Sequence, residues 1–299
     1  MSTNVAGVYI TGLFGKSGLL GPTKSELLAS KMNDYIFWSV HVNPDASLHY
    51  NDQPLAANGT LNAAIAGPIG DIVTAAKQAG LVQSVWFSIG AGGVSDFQNI
   101  QSILKTGGTL EKTLYANFQA LMGLGATGFD LDYEEDLADP SALISELTVG
   151  LFEKVGARLT YCPYYNEQMW IEALKANMTA LGSQPVDAFN LQAYSGGAGN
   201  DPRDWVKAIE AAGSATGVTD PQAFVRPGLA VAGSTSSPAY TPSQMTTQLD
   251  SWNAPGGWIW NSANVLNAEP KTGDSIADYA QALLATQGVA TVRRVETPA

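Results

Sequence analysis

Short apolar runs alternate with longer segments of helical periodicity along most of the chain. Eight runs have the length of strands and are apolar on at least one face: residues 5–11, 35–42, 82–89, 128–134, 158–161, 186–192, 225–232 and 257–261. Between them, apolar residues recur at the three- and four-residue spacing of helices over residues 25–32, 68–79, 96–104, 110–124, 140–155, 166–181, 204–212, 243–252 and 275–284. Such alternation predicts a parallel sheet covered by helices.

Eight strand candidates that alternate with helices, without a break in composition, predict an α/β fold, and specifically a (β/α)8 barrel. Because we find no linker, repeat or low-complexity segment, we expect one domain over residues 1–299. The alternative is an open, doubly wound sheet. Residues 12–18, however, fit neither the dinucleotide-binding nor the phosphate-loop pattern that would follow its first strand. The turn-rich residues 43–62 predict a small hairpin on the rim.

The fourth strand candidate, GFDLDYE at residues 128–134, alternates strictly between acidic and other residues. Because successive side chains of a strand point to opposite faces, Asp130, Asp132 and Glu134 share one face at intervals of roughly 7 Å. Like charges held so close raise the pKa of at least one carboxyl group, which is how a general acid is made. The alternative is a solvated edge strand with its acidic residues outside.

In (β/α)8 barrels the active site lies at the C-terminal ends of the strands. That rule brings together carboxylates, amides and aromatic side chains from different strands, and we predict Gly92, Tyr161, Tyr165, Asn166, Gln192, Tyr194 and Trp260 to join the acidic strand there. Aromatic surfaces with a few polar groups suit a sugar, because one face of the ring stacks while its hydroxyls need hydrogen bonds.

The chain is acidic, with a formal net charge of −12, which argues against nucleic acid or an anionic membrane as a partner and suits a neutral glycan. One cysteine, Cys162, and two histidines exclude internal disulfides and the common cysteine or histidine metal sites. We interpret Cys162 as a small buried hydrophobe.

The first residues show no secretory signal, and no run of about 18 apolar residues occurs. We expect a cytoplasmic protein or one exported by a non-classical route, unless the sequence was trimmed, and a monomer.

Four motifs resemble those of glycoside hydrolase family 18, the chitinases and related endo-β-N-acetylglucosaminidases. TGFDLDYE at residues 127–134 is similar to the family signature D-G-x-D-x-D-x-E. SIGAGG at residues 88–93 resembles the third-strand S-x-G-G segment, and QAYS at residues 192–195 resembles the sixth-strand Q-x-Y-N. Trp260 stands where the family has its eighth-strand tryptophan.

The resemblance implies substrate-assisted, retaining hydrolysis of β-1,4-linked N-acetylglucosaminides, without metal or cofactor. Glu134 would be the acid and base, Asp132 would orient the substrate's acetamido group, and Asp130 would share a proton with Asp132. Tyr194 would bind the acetamido oxygen and Trp260 would form the floor beneath the sugar. The substrate would be chitin, a chitooligosaccharide or the chitobiose core of N-glycans.

The chain departs from the family pattern at Thr127, which replaces the first aspartate and which we expect to donate a hydrogen bond to Asp130. Only eight residues separate Ala232 from Thr241, so we expect a barrel without the α+β insertion of some members and an open groove suited to endo-cleavage. We interpret Glu135 as part of a solvated loop. The competing function is a non-catalytic lectin or inhibitor on the same fold.

Overall fold

A computed structural model describes residues 4–14 and 20–286 and has a closed barrel of eight parallel strands. We number these strands in chain order: β1 Val5–Ile10, β2 Asp34–Val42, β3 Ser84–Ile89, β4 Gly128–Leu131, β5 Arg158–Tyr161, β6 Val186–Gln192, β7 Val225–Val231 and β8 Gly256–Trp260. Strand β1 pairs with both β2 and β8, which closes the barrel. The predicted (β/α)8 barrel is therefore confirmed, whereas a single domain over all 299 residues stays a prediction.

Helices surround the barrel and bury their apolar faces against the outer side of the strands. They are α1 Lys24–Ala29, α2 Ala63–Gln78, α3 Asp96–Thr106, α4 Gly108–Met122, α5 Pro140–Gly150, α6 Glu167–Leu181, α7 Pro202–Ala212, α8 Pro221–Phe224, α9 Pro242–Ser251, α10 Ser262–Thr272 and α11 Ile276–Leu284. Because α5 passes directly into a π-helix at Leu151–Val155, the predicted helix 140–155 is divided in two.

Helices α2, α8 and α10 also differ from the prediction, and the short α8 has no counterpart in it. Helix α2 begins five residues before Pro68, because the side chain of Asn62 caps it by accepting a hydrogen bond from the amide of Ala64. Proline is common at the start of a helix, but here it lies inside one. Helix α10 was not predicted. It is capped by Asn261, which accepts from the amide of Asn264, and its composition is largely polar.

The predicted rim hairpin is present and extends the sheet beyond β2. Three short antiparallel strands, Leu48–Tyr50, Gln53–Ala57 and Thr60–Leu61, follow one another from the C-terminal half of β2. After β7, the loop to α9 contains only the two-residue strand Ala239–Tyr240, so no inserted domain deepens the rim at this point.

The barrel interior has an aromatic cluster of its own, distinct from the core under the helices. Its buried members are Tyr9, Ile36, Trp86, Cys162, Tyr194, Ala230 and Trp258, with Trp38 and Trp260 packed against them. Gly228 makes room for this cluster, because a Cβ atom there would lie 2.0 Å from the indole of Trp258. The cluster forms the base on which the C-terminal mouth of the barrel is built.

Candidate active site

A cavity of about 320 Å³ opens at the C-terminal ends of the strands. Its walls come from all eight barrel strands or the loops after them: Tyr9, Trp38, Ala91, Gly92, Asp132, Glu134, Cys162, Tyr164, Gln192, Tyr194, Ser195, Gly196, Ser236 and Trp260. Strand β4 ends at Leu131, three residues earlier than predicted. The alternation nevertheless continues beyond it, since both Asp132 and Glu134 reach the cavity.

Asp130 lies beneath the cavity and is fully buried. Its carboxylate accepts four hydrogen bonds: Tyr9 Oη at 2.8 Å, Ser88 Oγ at 2.8 Å, Thr160 Oγ1 at 2.7 Å and Asn190 Nδ2 at 2.9 Å. Burial raises the pKa of Asp130, and these four donors oppose the rise. The group is thus a polar support fixed from four strands rather than a residue in contact with a ligand.

Asp132 is buried at the floor of the cavity, where it is 3% exposed. Its Oδ2 accepts a hydrogen bond from Trp38 Nε1 at 3.0 Å, and its Oδ1 accepts one from Gln192 Nε2 at 3.1 Å. Burial raises the pKa of Asp132 well above its ordinary value, and the nearby charges of Glu134 and Asp130 raise it further. Asp132 can therefore hold a proton at a pH where an exposed aspartate has lost it.

Glu134 is half-buried and stands nearer the mouth of the cavity. Its Oε1 accepts a hydrogen bond from Gln192 Nε2 at 3.0 Å, so one amide bridges Asp132 and Glu134. On the other side, a Cβ atom at Gly92 would lie 2.9 Å from Glu134 Oε2. Gly92 thus leaves the space that this carboxylate occupies.

Aromatic rings form one wall of the cavity. The ring of Tyr194 stacks on Trp260, with centroids 5.9 Å apart and an interplanar angle of 16°, and Trp38 meets Trp260 edge to face at 4.9 Å. Burial raises the pKa of the Tyr194 hydroxyl well above its usual value, so this group keeps its proton and can donate a hydrogen bond to a ligand. A ligand with one apolar face and acceptors on its edge fits such a wall.

Chemically, the cavity combines a carboxyl group near the solvent, a buried carboxyl group beside it and a phenol that can donate. This set can transfer a proton and stabilise a positive charge. In residues 4–14 and 20–286, no three His, Cys, Asp or Glu side chains are grouped so as to hold a metal ion. No helix within these ranges is long and apolar enough to cross a membrane.

No family model and no curated protein matches the chain, but solved structures match it over nearly its whole length. A fungal endo-β-N-acetylglucosaminidase of glycosyl hydrolase family 18 has 20% sequence identity and a TM-score of 0.63, with 93% of this chain and 98% of that chain covered. A group IV chitinase of Ostrinia furnacalis, in complex with allosamidin, has 11% identity and a TM-score of 0.63, with coverages of 94% and 97%. A family GH18 chitinase from Cycas revoluta has 13% identity and a TM-score of 0.60, with coverages of 94% and 99%. The chain has the fold of the family 18 glycoside hydrolases.

Most, but not all, of the predicted site residues lie at this cavity. Six of them line the cavity together: Gly92, Asp132, Glu134, Gln192, Tyr194 and Trp260. Asp130 lies directly below them. Tyr165 and Asn166 are exposed and do not line the cavity, although the ring of Tyr165 packs on that of Tyr164, which does.

The prediction that Tyr161 lines the cleft is wrong. Tyr161 is fully buried on the outer side of β5, where its hydroxyl bonds to Thr148 and accepts from Asn177 under α5 and α6. Thr160, which binds Asp130, and Cys162, which lines the cavity, point the other way. The period of two along the strand assigns the tyrosine to the helix side.

Two expectations about the acidic segment are also corrected. Thr127 does not donate to Asp130, whose carboxylate accepts from the four other side chains described above. The Thr127 hydroxyl instead accepts a hydrogen bond from the amide of Val85 on the neighbouring strand. Glu135 is not part of a solvated loop. It is half-buried, and its two oxygens accept from the amides of Phe97 and Gln98 at 2.7 and 2.9 Å.

Sequence reasoning missed Tyr9, Trp38 and Cys162 as cavity residues. All three lie in or directly after strands that are apolar on both faces. In such strands, residue type does not distinguish a residue that faces the pore from one that faces the helices. Burial raises the pKa of Cys162 well above its ordinary value, so this cavity residue is a neutral thiol rather than a thiolate. One feature of the sequence indicates the position of Cys162: it follows Thr160 by two residues, so the two side chains lie on the same face of the strand.

Proposed function

We propose that this protein hydrolyses β-linked N-acetylglucosaminides with retention of anomeric configuration, through participation of the substrate's own acetamido group. The observation that carries the proposal is the bridge of Gln192 between Asp132 and Glu134 in a cavity walled by Trp260 and Tyr194. The similarity of the fold to chitinases and an endo-β-N-acetylglucosaminidase supports the same conclusion.

In the first step, Glu134 protonates the glycosidic oxygen as the bond from that oxygen to the anomeric carbon breaks. The acetamido oxygen attacks the anomeric carbon from the opposite face, which gives an oxazolinium ion and releases the leaving sugar. Asp132 accepts a hydrogen bond from the acetamido N–H and stabilises the positive charge. The Tyr194 hydroxyl donates to the acetamido oxygen and holds it in line with the carbon that it attacks.

In the second step, Glu134 takes a proton from a water molecule as that water attacks the anomeric carbon. The oxazolinium ring opens, the acetamido group is restored and the product keeps the β configuration. Two inversions at one carbon give net retention. The hydrogen bonds from Gln192 and Trp38 keep Asp132 oriented through both steps, and Asp130 supports it from below.

The substrate class that suits the cavity is a chain of N-acetylglucosamine units, as in chitooligosaccharides or the chitobiose core of an N-glycan. Trp260 offers its ring to the apolar face of the sugar. The short loop between β7 and α9 leaves the groove open along the rim, which favours cleavage within a chain. Tyr164 at the edge of the cavity offers a further aromatic surface to the next sugar.

We expect the wild-type protein to cleave chitotetraose and to release the β anomer first, as observed by proton NMR before mutarotation. Cellotetraose, which lacks the acetamido group, is the matched control and should remain intact. A high-mannose N-glycan in parallel separates the two substrate classes. Binding of chitotetraose without cleavage would favour the lectin alternative, and release of the α anomer would exclude the proposed mechanism.

A further inference from the structure

The backbone around Glu134 is not held by the sheet. The last ladder hydrogen bond on this side joins the amide of Asp132 to the carbonyl of Ile89 at 2.9 Å. Beyond it, within the part of the chain that the structure describes, residues 133–138 make no backbone-to-backbone hydrogen bond. The position of the backbone at Glu134 therefore depends on how the side chains of the neighbouring residues are held.

Both flanking side chains are anchored, and both reach the first turn of α3. The ring of Tyr133 meets Phe97 edge to face, with centroids 5.1 Å apart, and its hydroxyl accepts from the amide of Leu137 at 3.0 Å. Glu135 accepts from the amide of Phe97 at 2.7 Å and from that of Gln98 at 2.9 Å. Glu134, between them, is free to turn its own side chain into the cavity.

Helix α3 has no side-chain cap from its own N-cap residue, so the amides of its first turn are available to donate hydrogen bonds to Glu135. The side chain of its N-cap residue, Ser95, makes no capping hydrogen bond. The first amides of a helix need acceptors, and the helix dipole favours a negative charge there. The carboxylate of Glu135 supplies both from a different segment of the chain.

The same turn is fixed to the barrel by a second carboxylate. Asp96, the first residue of α3, is buried; its Oδ1 accepts from the amide of Val42 and its Oδ2 bonds to His41 Nδ1, both at 2.8 Å. These contacts tie α3 to β2, the strand that also presents Trp38 to Asp132. The turn is thus a fixed support rather than a loop that moves with Glu134.

We propose that Glu135 is a positioning residue, which clamps the segment carrying Glu134 to the first turn of α3 and so sets where the acid stands over the glycosidic oxygen. This inference rests on the proposed function. The clamp needs two acceptor oxygens, because each one receives a different backbone amide. In glutamine, one of these oxygens is replaced by an NH₂ group that would face an N–H donor.

The test is the pair Glu135→Gln and Glu135→Asp, compared with Glu146→Gln, an exposed glutamate on α5 that serves as the matched control. We measure kcat/KM, which reports the steps up to release of the leaving group, for chitotetraose and for 2,4-dinitrophenyl β-chitobioside. Dinitrophenolate leaves without protonation, so its release does not require a well-placed acid.

For Glu135→Gln, we expect kcat/KM on chitotetraose to fall on the order of 10- to 100-fold, while kcat/KM on the dinitrophenyl substrate changes little. Glu135→Asp, which keeps the charge and both acceptor oxygens, should recover part of the loss. Glu146→Gln should match the wild type on both substrates. If Glu135→Gln does not fold, Glu135→Asp alone should still show a loss confined to chitotetraose.

Equal losses on the two substrates would mean a general structural role and would overturn the proposal, as would wild-type rates for a folded Glu135→Gln variant. A wild-type protein that cleaves neither substrate would instead count against the proposed function. The two failures are therefore distinguishable.

Discussion

Replacement of Glu134 by glutamine should lower kcat/KM for chitotetraose by about 10²- to 10⁴-fold, the usual contribution of a general acid and base. Glutamine has the same shape and can still accept the hydrogen bond from Gln192 through its amide oxygen. It cannot donate the proton that the leaving oxygen needs or remove one from water. The change therefore removes the chemistry while leaving the cavity intact.

The matching measurement is the affinity of the Glu134→Gln variant for chitotetraose, by calorimetry. We expect a dissociation constant close to the KM of the wild type, because the rings of Trp260 and Tyr194 still provide the binding surface. Glu146→Gln again serves as the control. Hydrolysis at the wild-type rate by the Glu134→Gln variant would show that another group is the acid.

Asp132→Asn should have two opposite effects: a loss of activity and a gain of stability at neutral pH. Activity should fall about 10²- to 10³-fold, because a charge aimed at the developing cation is lost. Stability should rise, because burial and the charges of Glu134 and Asp130 raise the pKa of Asp132 in the folded state. A carboxyl group with a raised pKa stabilises the fold below its unfolded pKa and loses that contribution as pH rises through the folded value.

The sign of this effect can be followed by melting curves between pH 4 and pH 8. The free energy of unfolding of the wild type should decline with rising pH more than that of Asp132→Asn, so the variant gains most at the neutral end. Each kcal/mol gained would raise the Tm by about 2–4 °C. Asp71→Asn on the exposed face of α2 is the control, and its free energy of unfolding should follow that of the wild type across this pH range. A variant that is less stable than the wild type at pH 7 would contradict the electrostatic account.

Much of the site could be predicted because the barrel is a repeating structure. The alternation at residues 128–134 is an intrinsic property of the strand, and it correctly assigned Asp130, Asp132 and Glu134 to the pore side. The rule that the active site lies at the C-terminal ends of the strands predicted that Gln192, Tyr194 and Trp260 share one cavity, although they come from strands far apart in sequence. These predictions needed only the order of the elements and the period of each.

The errors arose where residue type was given more weight than position. Tyr161 was selected as an aromatic residue at a strand end, but its neighbours Thr160 and Cys162 occupy the pore side, so the tyrosine faces the helices. Tyr9 and Trp38 were missed because a tyrosine or tryptophan in an apolar strand looks the same whether it faces the pore or the core.

The contacts of Glu135 could not be predicted from the local sequence at all. Its two partners are the amides of Phe97 and Gln98, almost forty positions earlier, in the first turn of a helix whose N-cap residue Ser95 makes no side-chain capping bond. A hydrogen bond to a backbone amide depends on where the chain lies, not on which residue it carries. The same holds for Thr127, whose hydroxyl pairs with the backbone of Val85.

The central claim is that the substrate's acetamido oxygen, held between Asp132 and Tyr194, is the nucleophile. The most direct measurement is kcat/KM for a series of aryl β-chitobiosides whose reacting sugar carries an N-acetyl, N-fluoroacetyl, N-difluoroacetyl or N-trifluoroacetyl group. Fluorine withdraws electrons and weakens the acyl oxygen as a nucleophile while changing its size little. We expect kcat/KM to fall with each added fluorine, and a rate independent of fluorine content would contradict the account.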